Sequence, residues 1–253
     1  MQFSNKVVVV TGGAAGIGKA TCLAFHRENA AVVIIDIDIE RGQSVLDEIL
    51  QDGGKAIFIR ADISQEKEVD RIPSQVIGGF GGIDVLVNNA GIPHSGTVIE
   101  DSPDTWDKVF NVNLRGAYLC SHFMLPELLT RPKANIVNVG RVQSCVASPR
   151  SAAYVASKFG LLGLTKAMAV DHSPHVRVNA VLPGSIDTAM FRSELSSKID
   201  LETKLREVAS KQLIGRIGYA EEVAKAIVFL AGEDASFITG VGLVVDGGLT
   251  AKI

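Results

Sequence analysis

The sequence predicts an α/β fold in which a parallel sheet carries helices on both faces. Two observations lead there. Seven short, β-branched apolar runs recur along the 253 residues, and the segments between them place apolar residues at helical spacing. Continuous apolarity, in place of strict alternation, is the pattern of strands covered on both faces. Strand-helix alternation then implies crossover connections between parallel strands.

Taken in order, the runs are VVVV at 7–10, AVVIID ending at Asp36, AIFIRAD ending at Asp62, IDVLVNN ending at Asn89, NIVNV from Asn135, VRVNAV from Val176 and VGLVVD ending at Asp246. Helical spacing follows the first run at Ala20, Leu23 and Ala24, and the second at Val45, Leu46, Ile49 and Leu50. A long helix is expected from Ser151 to about Asp171. It carries Phe159, Leu161, Leu162, Leu164, Met168 and Ala169 around more of its circumference than one core face needs, an excess that suggests a subunit interface. The stretch 186–212 is polar, charged and free of strand signal, so it reads as an excursion from the sheet. No repeat or Pro/Gly/Ser-rich linker divides the chain, and one domain is expected over 1–253.

A net charge of −3 and a pI near 6.0 offer no basic surface for nucleic acid or anionic lipid. The opening MQFSNKVVVVTGG lacks the apolar stretch and cleavage site of a secretory leader, and no apolar run is long enough to span a bilayer. A cytoplasmic protein is expected. Cys22, Cys120 and Cys145 are odd in number and set among apolar neighbours, which favours buried free thiols over a disulfide or a metal site. His172 and His175 have HxxH spacing, but Pro174 between them and no third ligand favour a surface turn, and no metal is expected.

After the first strand comes Thr11-Gly12-Gly13-Ala14-Ala15-Gly16-Ile17-Gly18-Lys19. Its glycines permit a tight turn and bring backbone N–H groups against a pyrophosphate at a helix N-terminus. Read from Gly13 the letters nearly spell a nucleotide-triphosphate loop, but Ala20 stands where the Mg²⁺-binding hydroxyl is required. Asp36, at the end of the second strand and 18 residues after Gly18, sits where a carboxylate accepts hydrogen bonds from an adenosine ribose. Its charge repels a 2′-phosphate, and neither Gly13 nor Ile37 supplies a compensating cation, so NAD is preferred to NADP.

Tyr154 and Lys158 are four residues apart and share a helical face. Hydride transfer at an alcohol carbon needs a proton carrier at the oxygen, and a cation beside a phenol favours the phenolate and pulls its pKa down from about 10.

With Thr-Gly-x3-Gly-x-Gly at 11–18, Asn88-Asn89-Ala90-Gly91, Tyr154-x3-Lys158 and Pro183-Gly184 in that order, nearly the whole chain resembles the classical short-chain dehydrogenase/reductase family. The resemblance implies a Rossmann-like, doubly wound parallel sheet of about seven strands, a nicotinamide dinucleotide as hydride carrier and a homotetramer. It carries Thr11, Gly12, Gly16, Ile17, Gly18 and Asp36 over as cofactor-binding positions, with Asp62 and Ile63 at the adenine. Asn89, Ala90 and Gly91 line the cofactor, and Pro183, Gly184 and Thr188 contact the nicotinamide end. Tyr154, Lys158 and Asn113 match the catalytic residues, Lys158 also holding the nicotinamide ribose and Asn113 positioning a water. The excursion at 186–212 then resembles the family's substrate lid. Ala220 stands where the family pattern has proline, which implies a less rigid helix start.

The largest departure is Arg141. Thirteen residues before the tyrosine the family has a serine that donates to the substrate oxygen, and here that position is arginine. Ser144, the nearest hydroxyl, would lie roughly 10 Å away along an extended chain. Three readings stand. The guanidinium fills substrate space, and as a buried cation swings out or finds a carboxylate; it donates to the developing oxyanion; or it is a deliberate replacement. The first and last predict reduced catalysis. The substrate candidates His94, Gln143, Ser144 and Val146, with Met190 and Phe191 of the lid, form a partly polar set suited to a sugar, polyol or other secondary alcohol. His94 reads equally as a solvated loop residue. The alternative to an enzyme is a protein that binds NAD without turnover.

Overall fold

The run Val7–Thr11 becomes β1, buried at every position because strands flank it on both edges. The computed structural model describes residues 2–195 and 200–251. After β1 come α1 (Gly16–Arg27), β2 (Ala31–Asp36), α2 (Ile39–Gln51), β3 (Lys55–Arg60), α3 (Glu66–Val69), α4 (Ile72–Phe80) and β4 (Val85–Asn88). Then follow α5 (Pro103–Phe110), α6 (Gly116–Leu128), β5 (Ala134–Val139), α7 (Ala152–His172) and β6 (Val176–Pro183). The chain continues through β7 (Ile186–Asp187), α8 (Ala189–Leu195), α9 (Leu201–Lys211), β8 (Gly218–Tyr219), α10 (Ala220–Ala231) and β9 (Gly242–Val245).

The described residues form a seven-stranded parallel sheet in the order β3-β2-β1-β4-β5-β6-β9. The chain winds outward from β1 through β2 to β3, then returns to β4 and winds the other way. The order therefore reverses between β1 and β4, and a crevice opens past their carboxyl ends, where ligands bind in such sheets. Period-two strands feed two cores: Val8, Val10, Val32 and Ile34 pack with Phe25, Ile49 and Ile227 on one face, and Val7, Val9, Val33 and Ile35 pack with Ile72, Met124 and Leu128 on the other.

A polar thread crosses the second layer. Asn88 Nδ2 donates to Ser121 Oγ at 3.1 Å and to Asn138 Oδ1 at 2.9 Å; Asn138 Nδ2 donates to Thr165 Oγ1 at 2.8 Å. It ties β4 and β5 to α6 and α7 and fixes the strand ends that carry the site.

All seven expected strands are present, with β3 ending at Arg60, β4 at Asn88 and β9 at Val245, one or two residues short of the expected Asp62, Asn89 and Asp246. The excursion at 186–212 departs from expectation in one respect: Ile186–Asp187 pairs in parallel with Gly218–Tyr219, too short and too polar a strand to leave a sequence signal. Positions 196–199 of that excursion lie outside the described residues. Cys22 and Cys120 are buried free thiols, and burial pushes the Cys22 thiol well above its ordinary range and Cys120 up to about 12. Cys145 is exposed, against expectation, because it follows a tight turn that carries it outward. Leu50 is also exposed, so α2 buries only Val45 and Ile49 of its expected stripe deeply. The start of α10 is held despite Ala220: Glu222 accepts from Tyr219 N at 2.8 Å and takes two bonds from Arg216 at 2.6 and 2.8 Å.

Candidate active site

The glycine turn is shaped by what presses on it. Gly12 (φ +63°) and Gly16 (φ +52°) have left-handed backbones, which favours glycine. A Cβ on Gly12 would stand 2.9 Å from Ala90 Cα, so no side chain fits there without moving backbone. Thr11 Oγ1 accepts from Asn89 N at 3.0 Å and Ala90 N at 3.1 Å, and Asn89 Nδ2 donates to the Thr11 and Gly12 carbonyls at 3.0 and 3.1 Å. These bonds join the ends of β1 and β4. Gly18 is needed for close packing, since a Cβ there would lie 1.9 Å from Gly12 O.

Helix α1 begins at Gly16 with no side-chain cap, so its first N–H groups remain open to an anion. Asp36 Oδ2 accepts from Ala14 N and Oδ1 from Asp38 N, each at 3.0 Å. One contact per oxygen leaves acceptor capacity for ribose hydroxyls. Thr188 faces the turn, its Cγ2 lying 3.2 Å from where a Cβ on Gly16 would stand. Pro183 ends β6, and Gly184 lets Asp246 approach to 2.7 Å of its Cβ position. The Asp62 carboxylate accepts from Ser64 N at 2.9 Å and Ser64 Oγ at 2.8 Å, while Ile63 is buried beneath Gly116. An uncapped helix start, a left-handed glycine turn and a carboxylate with spare lone pairs fit a dinucleotide.

Opposite this cradle, α5 runs into α6 through a π-helical turn, Asn111–Arg115. Such a widened turn re-aims side chains and recurs at functional sites. It carries Asn113, 1% exposed, whose Oδ1 accepts from Ile92 N at 2.8 Å and whose Nδ2 donates to Ile92 O at 3.0 Å. Lys158 is buried on α7, donates to Val139 O at 3.1 Å and lies 5.8 Å from the centroid of the half-buried Tyr154 ring. Gly91 makes the approach of Asn113 and Lys158 possible: a Cβ there would sit 3.2 Å from Asn113 Oδ1 and 3.6 Å from Lys158 Nζ. Burial first, and the neighbouring Arg141 cation second, depress the Lys158 ammonium to about 8.

Arg141 follows β5 with extended backbone (φ −165°, ψ 167°) and leads into a 3₁₀ turn, Val142–Ser144. Two expectations are corrected here. Ser144 is not far down an extended chain: the turn folds its buried hydroxyl back to accept from Arg141 N at 3.4 Å. Arg141 neither swings fully out nor finds a carboxylate. It is half-buried, and Nε donates to Gln143 Oε1 at 3.0 Å. Gln143 Nε2 donates in turn to Ser148 Oγ at 3.3 Å, and Ser148 Oγ meets Ser151 Oγ at 2.7 Å at the start of α7. The arginine is thus anchored to the base of the helix that bears Tyr154 and Lys158.

Of the other candidates, Val146 and Met190 are exposed and Phe191 is buried. His94 is neither a free lining residue nor a solvated one: its Nε2 lies 2.6 Å from Asp101 Oδ1, and Asp101 is 5% exposed. Gly96 leaves room for this pair. The chain Gln143–Ser148–Ser151 and the Ile92 and Val139 backbone contacts left no mark in the sequence, because they depend on backbone atoms and on a turn closed by small hydroxyls.

A doubly wound α/β fold with tyrosine, buried lysine and asparagine converging past its carboxyl edge is the architecture of an oxidoreductase. The family model described as enoyl-(acyl carrier protein) reductase matches residues 12–250. Cyclopentanol dehydrogenase of Comamonas sp. is 38% identical over 252 residues, 99% of each chain. The 2-(S)-hydroxypropyl-CoM dehydrogenase 3 of Xanthobacter autotrophicus is 39% identical over 255 residues, 99% of this chain and 98% of that one. Among solved structures, ligand-free aldohexose dehydrogenase of Thermoplasma acidophilum superposes with a TM-score of 0.91 at 37% identity, covering 99% of this chain and 96% of that one. The chain belongs to the short-chain dehydrogenase/reductase family. None of the described helices is long and apolar enough to cross a membrane.

Proposed function

We propose that this chain is an NAD(H)-dependent dehydrogenase acting on a secondary alcohol or the corresponding ketone, with a hydroxylated substrate such as a sugar or polyol. The observation that carries the reading is the convergence of Lys158 and Asn113 on Gly91, with Lys158 buried, bonded to Val139 O and 5.8 Å from the Tyr154 ring centroid. The Thr11–Gly18 turn, Asp36, Asp62, Ile63, Asn89, Ala90, Gly91, Pro183, Gly184 and Thr188 would hold the dinucleotide, which would supply the hydride acceptor when bound. Tyr154 takes the hydroxyl proton as the alcohol is oxidised and returns it in reduction. Lys158, charged below about 8, favours the phenolate and offers N–H groups to ribose hydroxyls. Asn113, its amide locked on the Ile92 backbone, keeps the π turn open so that a water can link Lys158 to solvent. Asp36 selects NAD over NADP by charge; equal affinity for NADH and NADPH in calorimetry would contradict that selection.

Arg141 impairs turnover of neutral alcohols by filling the place of a small hydroxyl donor. The segment 186–212 acts as a substrate lid. The family's homotetramer is supported by exposed Phe159 and Val170 on α7; monomers in light scattering at micromolar concentration would refute it. A cytoplasmic location is part of the same proposal. The second reading, an NAD-binding protein without turnover, is favoured by Arg141 alone. The test follows NADH formation over sugars, polyols and secondary alcohols, for this chain and for Arg141→Ser. Turnover by the serine form supports the enzyme reading, whereas NADH binding with no turnover by either form favours the second.

A further inference from the structure

We propose that Arg141 forms an anion subsite beside Tyr154, so that the substrate is a hydroxylated carboxylate whose carboxyl group lies one or two carbons from the reacting carbon. This rests on the oxidoreductase reading and narrows its substrate class. Arg141 Nε is occupied by Gln143 Oε1, but Nη1 and Nη2 have no hydrogen-bond or ion-pair partner among the described residues. Those two nitrogens form a planar fork whose geometry matches a carboxylate.

The surroundings point the same way. Lys158 and Arg141 are close enough for one cation to act on the other. No carboxylate pairs with Arg141 among the described residues: Asp101 Oδ1 pairs with His94, Asp187 with Arg192, Glu100 with Arg150, and Asp246 accepts from Gly248 N, Thr250 N and Thr250 Oγ1. Two cations without a counter-charge are costly in a half-buried site unless a ligand brings one. A neutral alcohol brings none. The Gln143–Ser148–Ser151 chain fixes the guanidinium before the ligand arrives, which lowers the ordering cost of binding. Where a serine hydroxyl would touch only the reacting oxygen, a guanidinium has donors for that oxygen and for a neighbouring carboxylate at once.

Oxamate and uncharged lactamide are titrated by calorimetry into the protein alone and in the presence of NADH, for the parent chain, Arg141→Ser and Gln143→Ala. Retained NADH affinity and an unchanged circular dichroism spectrum report that a variant is folded. Oxamate is expected to bind the parent about tenfold or more tightly than it binds Arg141→Ser, the factor one charge-assisted hydrogen bond is worth. Gln143→Ala is expected to fall between, and lactamide to bind the parent and Arg141→Ser alike. Equal oxamate affinity in parent and Arg141→Ser, or none in the parent, overturns the proposal. If NADH does not bind, the oxidoreductase reading fails, and the oxamate heats on the protein alone still decide the subsite. Turnover of lactate or 3-hydroxybutyrate over their amides, lost in Arg141→Ser, would extend the result to the reaction.

Discussion

Replacing Lys158 by methionine is expected to stabilise the protein at neutral pH while removing the proposed proton relay. Lys158 is charged in the unfolded chain below 10.5 and in the folded protein only below about 8. Between those values the unfolded state binds more protons, so the burden the group places on folding is full below about pH 8 and fades as pH rises to 10.5. At about 1.4 kcal/mol for each tenfold change in proton affinity, the burden is about 3 kcal/mol. Methionine has a similar length and no charge, but it forfeits the bond to Val139 O, worth about 1 kcal/mol. The net gain for Lys158→Met is therefore about 2 kcal/mol at pH 7, shrinking above pH 8. Urea denaturation of both proteins without dinucleotide at several pH values between 6 and 10 measures it. A variant less stable than the parent at pH 7, or a difference that does not change with pH, would refute the argument.

Three further outcomes are expected. Asn138→Ala breaks the thread between Asn88 and Thr165 and leaves a cavity, at a cost of about 2–4 kcal/mol in urea denaturation; a loss well below 1 kcal/mol would mean the thread is slack. Gly12→Ala forces a Cβ against Ala90 at a left-handed position, costing about 1–3 kcal/mol and weakening NADH binding in calorimetry; unchanged affinity would contradict the role of the turn. Glu222 is held down to about 2 by Arg216 first and by the Tyr219 N–H next, so its contribution is present above pH 4.5 and lost as pH falls towards 2. The pair is 38–44% exposed, which limits the effect of Glu222→Gln to about 1 kcal/mol, and a difference that persists in acid would contradict it.

The sheet was legible because its strands are covered on both faces, which writes each one as an unbroken apolar run. The positions of the candidate residues are legible for a related reason: Gly12, Asp36 and Asn89 stand at the ends of strands that can be counted, and Lys158 follows from a helix phase. The β7–β8 pairing was not, since two residues held by backbone bonds need no particular side chains. Ser144 was misplaced because a 3₁₀ turn and an extended segment share the letters Val-Gln-Ser, and only the turn brings the hydroxyl back beneath Arg141. The clamp on Arg141 depends on Gln143 reaching Ser148, five residues on, across a loop whose path is set by the start of α7. Cys145 departs from expectation for the same cause, since the turn buries Val142 but carries Cys145 and Val146 to its outer side.

The proposed function stands on Tyr154 as the proton carrier of a dinucleotide-dependent reaction. It is tested most directly by ultraviolet difference titration of the protein with NAD⁺, comparing the parent with Tyr154→Phe. Tyr118 and Tyr219 are common to both, so the difference isolates one phenol. A one-tyrosine ionisation is expected, its midpoint below the value of about 10 for a free tyrosine, and absent from the phenylalanine form. A midpoint at or above that value in the presence of NAD⁺ would contradict it.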